Sequence, residues 1–493
     1  MDTSHTHAEP PPLDPGICYR ALAARDTRFD GVFFTGVTST GIYCRPVCTV
    51  KTPRESSCRF FSSAAAAEAA GFRPCLRCRP ELAPYALQQN LAHAVWQRIA
   101  AGALNDGDAE RLAAEVGLSS RQLRRVLLQH FGVTPVELAQ TQRLLFAKKL
   151  LQETRLPMAE VAFAAGFGSV RRFNALFAQR YGIAPGGIRR ATGSHEGNEQ
   201  DALTLRLAYR PPYHWPRILD YLAGRAIPGV EAVENNRSGG AYLRSVCIGD
   251  AGGWLRVTHR AEKHQLELEV APALSPVLMP LLARVRSQFD LDANPSAIEA
   301  QLRQDPLLAS RIDAFPGLRV PGAFDAWELA VRAVLGQQVS VAGATTLSGR
   351  LVQRFGEAMA TPRSVLSHHF PRAASLAEVD ASDLAAIGLP QTRAQTIRNL
   401  AQFAAQGGLR MPPGLTLDDA VAHLRTVRGI GDWTAHYIAL RALRFPDAFP
   451  AGDLGLQKAA AEGAGRLTEK QLAARAAAWS PWRGYAAIAL WMA

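Results

Sequence analysis

The stretch that decides the fold is LRTVRGIGDWTAHYIALRALRFPDAFPAGDLGLQK, Leu424 to Lys458. Val421, Leu424 and Val427 recur at helical spacing ahead of its glycines, and beyond them Trp433, Tyr437 and Leu440 fall about one turn apart on a single face. Two helices therefore meet at a very tight turn, Gly429-Ile430-Gly431. Glycine suits such a turn because it takes positive φ without penalty and lets another backbone come close. The amides that open the second helix point outward with the positive end of its dipole, a setting that fits a phosphate. For the Gly-Ile-Gly step alone, an ordinary helical turn fits equally well.

The run GIGDWTAHYIALRAL followed by FPxxD resembles the helix-hairpin-helix DNA glycosylases, and among them the AlkA-type 3-methyladenine glycosylases. That resemblance implies Asp453 as the catalytic carboxylate, Trp433, Tyr437 and Trp491 as walls of a base pocket, and Gly429 and Gly431 as DNA contacts. GLRVPGAFDAWELAVRAVLGQQVSVAGATTL is similar to the family segment that approaches DNA, with Gln337 and Gln338 ahead of a helix. Some relatives carry an apolar wedge at the position of Gln338. A glutamine there fills volume and hydrogen-bonds the orphaned partner base. Bifunctional members carry a lysine where this chain has Trp433, so no Schiff base forms there and strand cleavage is not expected. Purines alkylated at N3 or N7 are cationic and already good leaving groups. Aromatic walls attract them by stacking and cation-π contacts, while the carboxylate stabilises charge developing on the sugar. Reaching that bond requires the base to be flipped out of the stack. The family hairpin also binds a monovalent cation through backbone carbonyls, which implies Val427 and Gly429 as donors.

The chain has 493 residues, 48% of them hydrophobic and 20% charged, which is material for three or four domains. A net charge of +12 favours a polyanionic partner, nucleic acid or an acidic membrane surface. No apolar run approaches membrane-spanning length, and the polar, proline-rich start MDTSHTHAEPPPLDPG lacks the apolar core of a signal peptide. The expectation is a cytoplasmic protein with no membrane partner. Of seven cysteines, four fall in two close pairs, Cys44 with Cys48 and Cys75 with Cys78. Two such pairs can fill the four positions of a tetrahedral metal ion, and a purely structural zinc knot fits the spacing.

TGIYCRPVC and AAGFRPCLRC resemble the N-terminal domain of Ada, the bacterial sensor of methylated DNA. The resemblance implies one Zn2+ held by Cys44, Cys48, Cys75 and Cys78, with Cys44 accepting a methyl group from a DNA methylphosphotriester once per protein molecule. A four-thiolate zinc centre carries about two net negative charges. Methylating one sulfur removes one of them, so repulsion from phosphate falls and DNA affinity rises. Cys18 and Cys58 read as ordinary thiols and Cys247 as a buried strand residue. With no Pro-Cys-His-Arg motif in the chain, reversal of O6-alkylguanine is not expected.

Next comes a duplication, AERLAAEVGLSSRQLRRVLLQHFGVTPVEL and MAEVAFAAGFGSVRRFNALFAQRYGIAPGGI. Each copy reads as a short helix, a turn, and a second helix opened by serine with arginines on its exposed side. The segment resembles the AraC-type DNA-binding domain, whose two helix-turn-helix units occupy successive major-groove faces. Arg121, Arg124 and Arg125 on one recognition helix, and Arg171, Arg172 and Asn174 on the other, are the candidates for phosphate or base contact. Farther on, LTLRLAY, WLRVTH and LELEV alternate as an antiparallel sheet with one helix near residues 215–223, and YRPPYHWPRILDYLAGRAIPGVE resembles the small N-terminal domain of AlkA-type glycosylases.

The expected fold is multidomain α+β. It comprises a disordered tail (1–15), a small zinc-binding α+β domain (16–85), an all-α double helix-turn-helix domain (86–190), a linker (191–202), a small antiparallel α+β domain (203–278) and an all-α helix-hairpin-helix domain (279–493). The expected function is alkylation repair joined to transcription activation by a monomer on double-stranded DNA, with RNA polymerase as a further partner. A transcription factor with a catalytically degenerate glycosylase-like half is the alternative.

Overall fold

Short alternating runs build the first sheet. Phe34–Val37 (β1), Ile42–Cys44 (β2), Cys58–Phe61 (β3) and Arg73–Pro74 (β4) lie in the order β3-β1-β2-β4. The pairs are antiparallel except for β2 with β4. The computed structural model describes residues 13–84, 91–105, 108–191, 202–234, 239–412, 414–461 and 465–492. Residues 1–12 of the expected tail and 192–201 of the expected linker lie outside these. Asp14 caps a helix over Pro15–Ala23, so order begins within the stretch expected to be disordered. The chain divides into two compact units, the first ending at Ser194 and the second running from His195 to Ala493 together with Glu153–Arg155.

In the first unit the duplicated sequence gives duplicated structure. Ser119 and Ser169 cap the helices Ser120–Phe131 and Val170–Tyr181, and Gly132 and Gly182 end them at φ of +71°. Each helix buries equivalent positions, Leu123, Leu127 and Phe131 in one and Phe173, Phe177 and Tyr181 in the other. Buried polar contacts join these helices to the first sheet. Glu68 accepts from Tyr43 at 3.0 Å, Thr141 at 2.9 Å and Arg180 at 2.9 Å, and Lys148 reaches Glu81 at 2.6 Å. Burial raises the Glu68 carboxyl to about 7 against the opposing pull of Arg180.

The second unit opens on a five-stranded antiparallel sheet: Leu203–Ala208 (β5), Glu231–Glu234 (β6), Ala241–Ile248 (β7), Ala251–Arg260 (β8) and Gln265–Val270 (β9), in the order β5-β9-β8-β7-β6. The expected helix forms at Trp215–Ala223. Beyond residue 278 the named elements among the described residues are helices and one two-residue ladder, Glu357–Ala358 with His368–His369. Sheet and helices are joined by buried charge. Arg244 on β7 meets Glu328 at 2.6 Å, and Arg332 meets Glu231 on β6 at 2.7 Å, both acids being nearly inaccessible. Removing one member of such a network strands its partner. Arg244→Met is expected to lower the unfolding free energy of this unit by about 3–5 kcal/mol, the scale for breaking a buried pair from one side, read from the urea midpoint of the full chain.

Candidate functional site

The hairpin forms where expected, between the helices Leu417–Arg425 and Asp432–Arg441. Its two glycines do different things. Gly429 sits at φ +100°, and a Cβ there would lie 2.0 Å from Thr396 Oγ1, so both conformation and packing demand glycine. Gly431 is extended, with φ −89°, and a Cβ on it would meet nothing within 4 Å. Positive φ, expected of the turn, thus applies at one position, while the other keeps the surface open. Asp432 is the first helical residue after the Gly431 N-cap. It faces Arg425 at 3.6 Å and His436 at 3.7 Å.

Trp433 and Tyr437, one turn apart, stack with ring centres 5.3 Å apart and planes at 11°. Trp491, on the helix Arg483–Trp491, meets Tyr437 edge-on at 6.1 Å. Both indoles converge on Asp453. Trp433 Nε1 donates to Oδ2 at 3.0 Å, Trp491 Nε1 to Oδ1 at 3.0 Å, and the Leu456 amide to Oδ1 at 2.9 Å as the carboxylate caps the helix Leu454–Ala459. Three donors fix the carboxylate and leave one lone-pair direction on Oδ2 for something else. All three rings and the acid are half-buried.

Gln337 turns inward. Its Nε2 donates to the Gly429 carbonyl at 3.2 Å and to Thr434 Oγ1 at 3.0 Å, while Arg393 donates to its backbone carbonyl at 2.6 Å. The Gly429 carbonyl, one of the expected cation donors, is therefore engaged by an amide, and the Val427 carbonyl accepts the Ile430 amide at 3.0 Å. Gln338 is exposed at φ +57°, a strained conformation for a residue with a side chain. Arg121, Arg124, Arg125, Arg171, Arg172 and Asn174 are all exposed on their two helices. They lie far in sequence from the hairpin and in the other unit.

In the first unit Cys44, Cys48, Cys75 and Cys78 place their sulfurs within 4.8 Å of one another. Four sulfurs at about 2.3 Å from one tetrahedral zinc stand roughly 3.8 Å apart, so the cluster fits a single ion. Cys44 is 6% exposed at the end of β2. The backbone around the cluster is braced by residues the sequence reading did not single out. The Arg45 amide donates to Cys78 Sγ at 3.4 Å, its guanidinium reaches the Cys78 carbonyl at 3.1 Å and pairs with Asp30, and Lys148 donates to the Cys75 carbonyl at 3.3 Å. Cys18 and Cys58 stand outside the cluster, and burial pushes the Cys18 thiol up to about 11. Cys247, expected to be buried, is half-exposed and 3.4 Å from Arg372 Nη2.

Four family models match the chain: the metal binding domain of Ada over residues 17–81, a helix-turn-helix domain over 112–191, the AlkA N-terminal domain over 204–325 and the HhH-GPD superfamily of base excision DNA repair proteins over 331–483. The "Probable bifunctional transcriptional activator/DNA repair enzyme AlkA" of Mycobacterium tuberculosis is 40% identical over 481 residues, 96% of this chain and 95% of that protein. "DNA-3-methyladenine glycosylase 2" of Escherichia coli is 37% identical over 285 residues, 58% of this chain and 95% of that protein. The solved 3-methyladenine DNA-glycosylase of Archaeoglobus fulgidus shares the fold of the second unit, with a TM-score of 0.51 at 19% identity over 58% of this chain and 97% of that one. The chain is a fused regulator and base excision repair protein. It belongs to the family of bifunctional transcriptional activator/DNA repair enzymes in which an Ada-type metal domain and a helix-turn-helix precede an AlkA-type DNA glycosylase. It acts on double-stranded DNA and holds one Zn2+ on its four clustered cysteines. Among the described residues no helix is long and apolar enough to cross a membrane. Cys48→Ala in the full chain is expected to reduce bound zinc from one per chain to well below that, measured by elemental analysis after dialysis.

Proposed function

We propose that the second unit is a monofunctional glycosylase for alkylated purines of the 3-methyladenine and 7-methylguanine type, with Asp453 as the catalytic carboxylate. The carrying observation is one carboxylate held by the indoles of Trp433 and Trp491 beside the Trp433–Tyr437 stack. A flipped cationic base is attracted to the aromatic walls, and as the glycosidic bond loosens Asp453 faces the positive charge that develops on the sugar. Oδ2 keeps a lone pair for that charge or for the attacking water. Trp433 stands where a Schiff-base lysine would be needed, so the reaction ends at the abasic site. Gly429 and Gly431 bring the turn against phosphate, and exposed Gln338 fills the space the base leaves.

The first unit transfers one methyl group from a DNA methylphosphotriester to Cys44. The Cys44 sulfur attacks the methyl carbon, a C–S bond forms, and the C–O bond breaks with its electron pair leaving on the phosphodiester. Bound zinc keeps the sulfurs as thiolates at neutral pH. With a unit of negative charge gone, the Arg121, Arg124, Arg125, Arg171, Arg172 and Asn174 faces hold DNA more tightly, and a monomer recruits RNA polymerase at the promoter.

Purified full chain, incubated with duplexes bearing 3-methyladenine or 7-methylguanine, is expected to release the free base without cutting the strand. Asp453→Asn is expected to slow release on the order of 100-fold, the scale of losing one charge-stabilising group. Undiminished release by that variant would remove Asp453 from its role, and no release by the wild type on DNA that it binds would leave the degenerate-scaffold alternative standing. Mass spectrometry after exposure to methylphosphotriester DNA is expected to show one added methyl, on Cys44. An unmodified Cys44 would reduce the first unit to a DNA-affinity module.

A further inference from the structure

Behind the aromatic walls sits a buried arginine whose partners are neutral. Arg441 is 5% exposed. Its Nε donates to the Pro321 carbonyl at 2.6 Å, Nη2 to the Gly322 carbonyl at 3.5 Å, and Nη1 to the Tyr437 phenol oxygen at 2.6 Å. Its guanidinium carbon stands 4.9 Å from the centre of the Tyr221 ring and 5.4 Å from that of Tyr437. The buried acids nearby, Glu231 and Glu328, pair with Arg332 and Arg244 instead. Among the described residues no carboxylate forms an ion pair with Arg441. A buried cation seeks a counter-charge. Next to it, the group that can supply one is the Tyr437 phenol.

Tyr437 has a second donor on its oxygen. Tyr221, on the helix Trp215–Ala223 that belongs to the sheet portion of this unit, hydrogen-bonds it, with Arg225 3.8 Å over the Tyr221 ring. Arg332 also faces Tyr437 from the helix Ala326–Leu335, and Asp453 faces the same cleft through the two indoles that hold it. Burial pushes the phenol up, but the charges of Arg441 and Arg225 and the two hydrogen bonds outweigh burial and bring it down to about 8. An oxygen that accepts from an arginine and a phenol is already polarised toward the anion, and the ring beneath it is correspondingly electron-rich.

We propose that Tyr437 is the specificity-determining residue of this cleft: held by Arg441 and Tyr221, it releases its phenolic proton to water when a cationic base stacks on its ring, and so separates charged alkylpurines from neutral purines of the same shape. The inference rests on the reading of the cleft as a base pocket. In the step the O–H bond breaks, its electron pair stays on oxygen, and the resulting phenolate is paired by Arg441 on one side and by the cationic base on its ring face. A neutral purine brings no charge to stabilise the phenolate, so it binds without releasing the proton. The sheet portion, through Tyr221, thereby tunes a pocket whose walls come from the helices.

The test is base release by the full chain as a function of pH, from duplexes carrying 3-methyladenine as the cationic base or hypoxanthine as the neutral one. For 3-methyladenine, kcat/KM is expected to climb by up to about tenfold per pH unit, the ceiling for release of one proton. It should level off near pH 8, where free Tyr437 is itself ionised. For hypoxanthine no climb is expected. Tyr437→Phe should remove the slope, and Tyr221→Phe should move the levelling point to higher pH by removing a donor, with melting temperatures confirming that both variants fold. Superimposable profiles for the two bases, or a slope that survives in Tyr437→Phe, would overturn the proposal alone. Release of neither base would overturn the reading of the cleft and the proposal with it.

Discussion

Three N–H donors on one carboxylate set the geometry of the second unit. Asp453 takes the Leu456 amide from its own helix and two indoles from elsewhere, Trp433 just past the hairpin and Trp491 at the end of the last helix. None of these bonds is local except the first. Each indole arrives only if its helix is placed correctly, and the hairpin placement depends on Gly429, where any side chain would run into Thr396. Gln337 then ties the Gly429 carbonyl to Thr434 on the second hairpin helix, and Arg393 ties Gln337 in turn. The turn that faces outward and the acid that faces the cleft are consequently two ends of one braced element. A side chain at Gly429 would displace Trp433, and with it the hydrogen bond that orients Asp453.

The first unit is organised by a different constraint, that of keeping four sulfurs together on short strands. Its sheet is small, β4 having only two residues, so local pairing holds little. Polar groups from outside the sheet take over. Arg45, paired with Asp30, donates to the Cys78 carbonyl, Lys148 donates to the Cys75 carbonyl, and Glu68 accepts from Tyr43, Thr141 and Arg180. Tyr43 adjoins Cys44, and Arg180 lies near the end of the second recognition helix. The cysteine cluster and the helical repeats therefore share one buried network within this unit.

What could be read from the sequence was what lies close together along it. The serine caps and the helix-turn-helix layout of the two copies follow from local chemistry. So do the paired cysteines, the alternation in β5, β8 and β9, and the hairpin itself. Trp491 was reachable only through family resemblance, because nothing between residues 453 and 491 signals that the two meet. Arg441, Tyr221, Arg45 with Asp30, and Glu68 were not legible. Each is a common residue type whose meaning comes from a partner on a different element, as with Arg441 and the Pro321 carbonyl. A charged residue in a helical pattern normally reads as solvated surface, and only tertiary packing shows that Arg441 is buried at a phenol. The misplacement of Cys247 as a buried residue has the same origin. Cys247 lies next to the end of β7, which leaves it half-open.

The two sites differ in exposure in a way that matches what each must reach. Cys44 is 6% exposed, whereas Asp453 and its aromatic neighbours are half-open. A methyl group projecting from a DNA backbone is small and needs no cavity to meet a sulfur. An extruded purine needs a cleft with walls. Burial then has an electrostatic consequence for the proposed switch at Cys44. Salt screens charges in open solvent within about 8–10 Å, but screens buried ones much less. Loss of one negative charge at a buried cluster is therefore felt at an adjacent phosphate more strongly than the same loss on a surface side chain. In the proposed switch a single methyl group would act where water does little to hide the charge it removes.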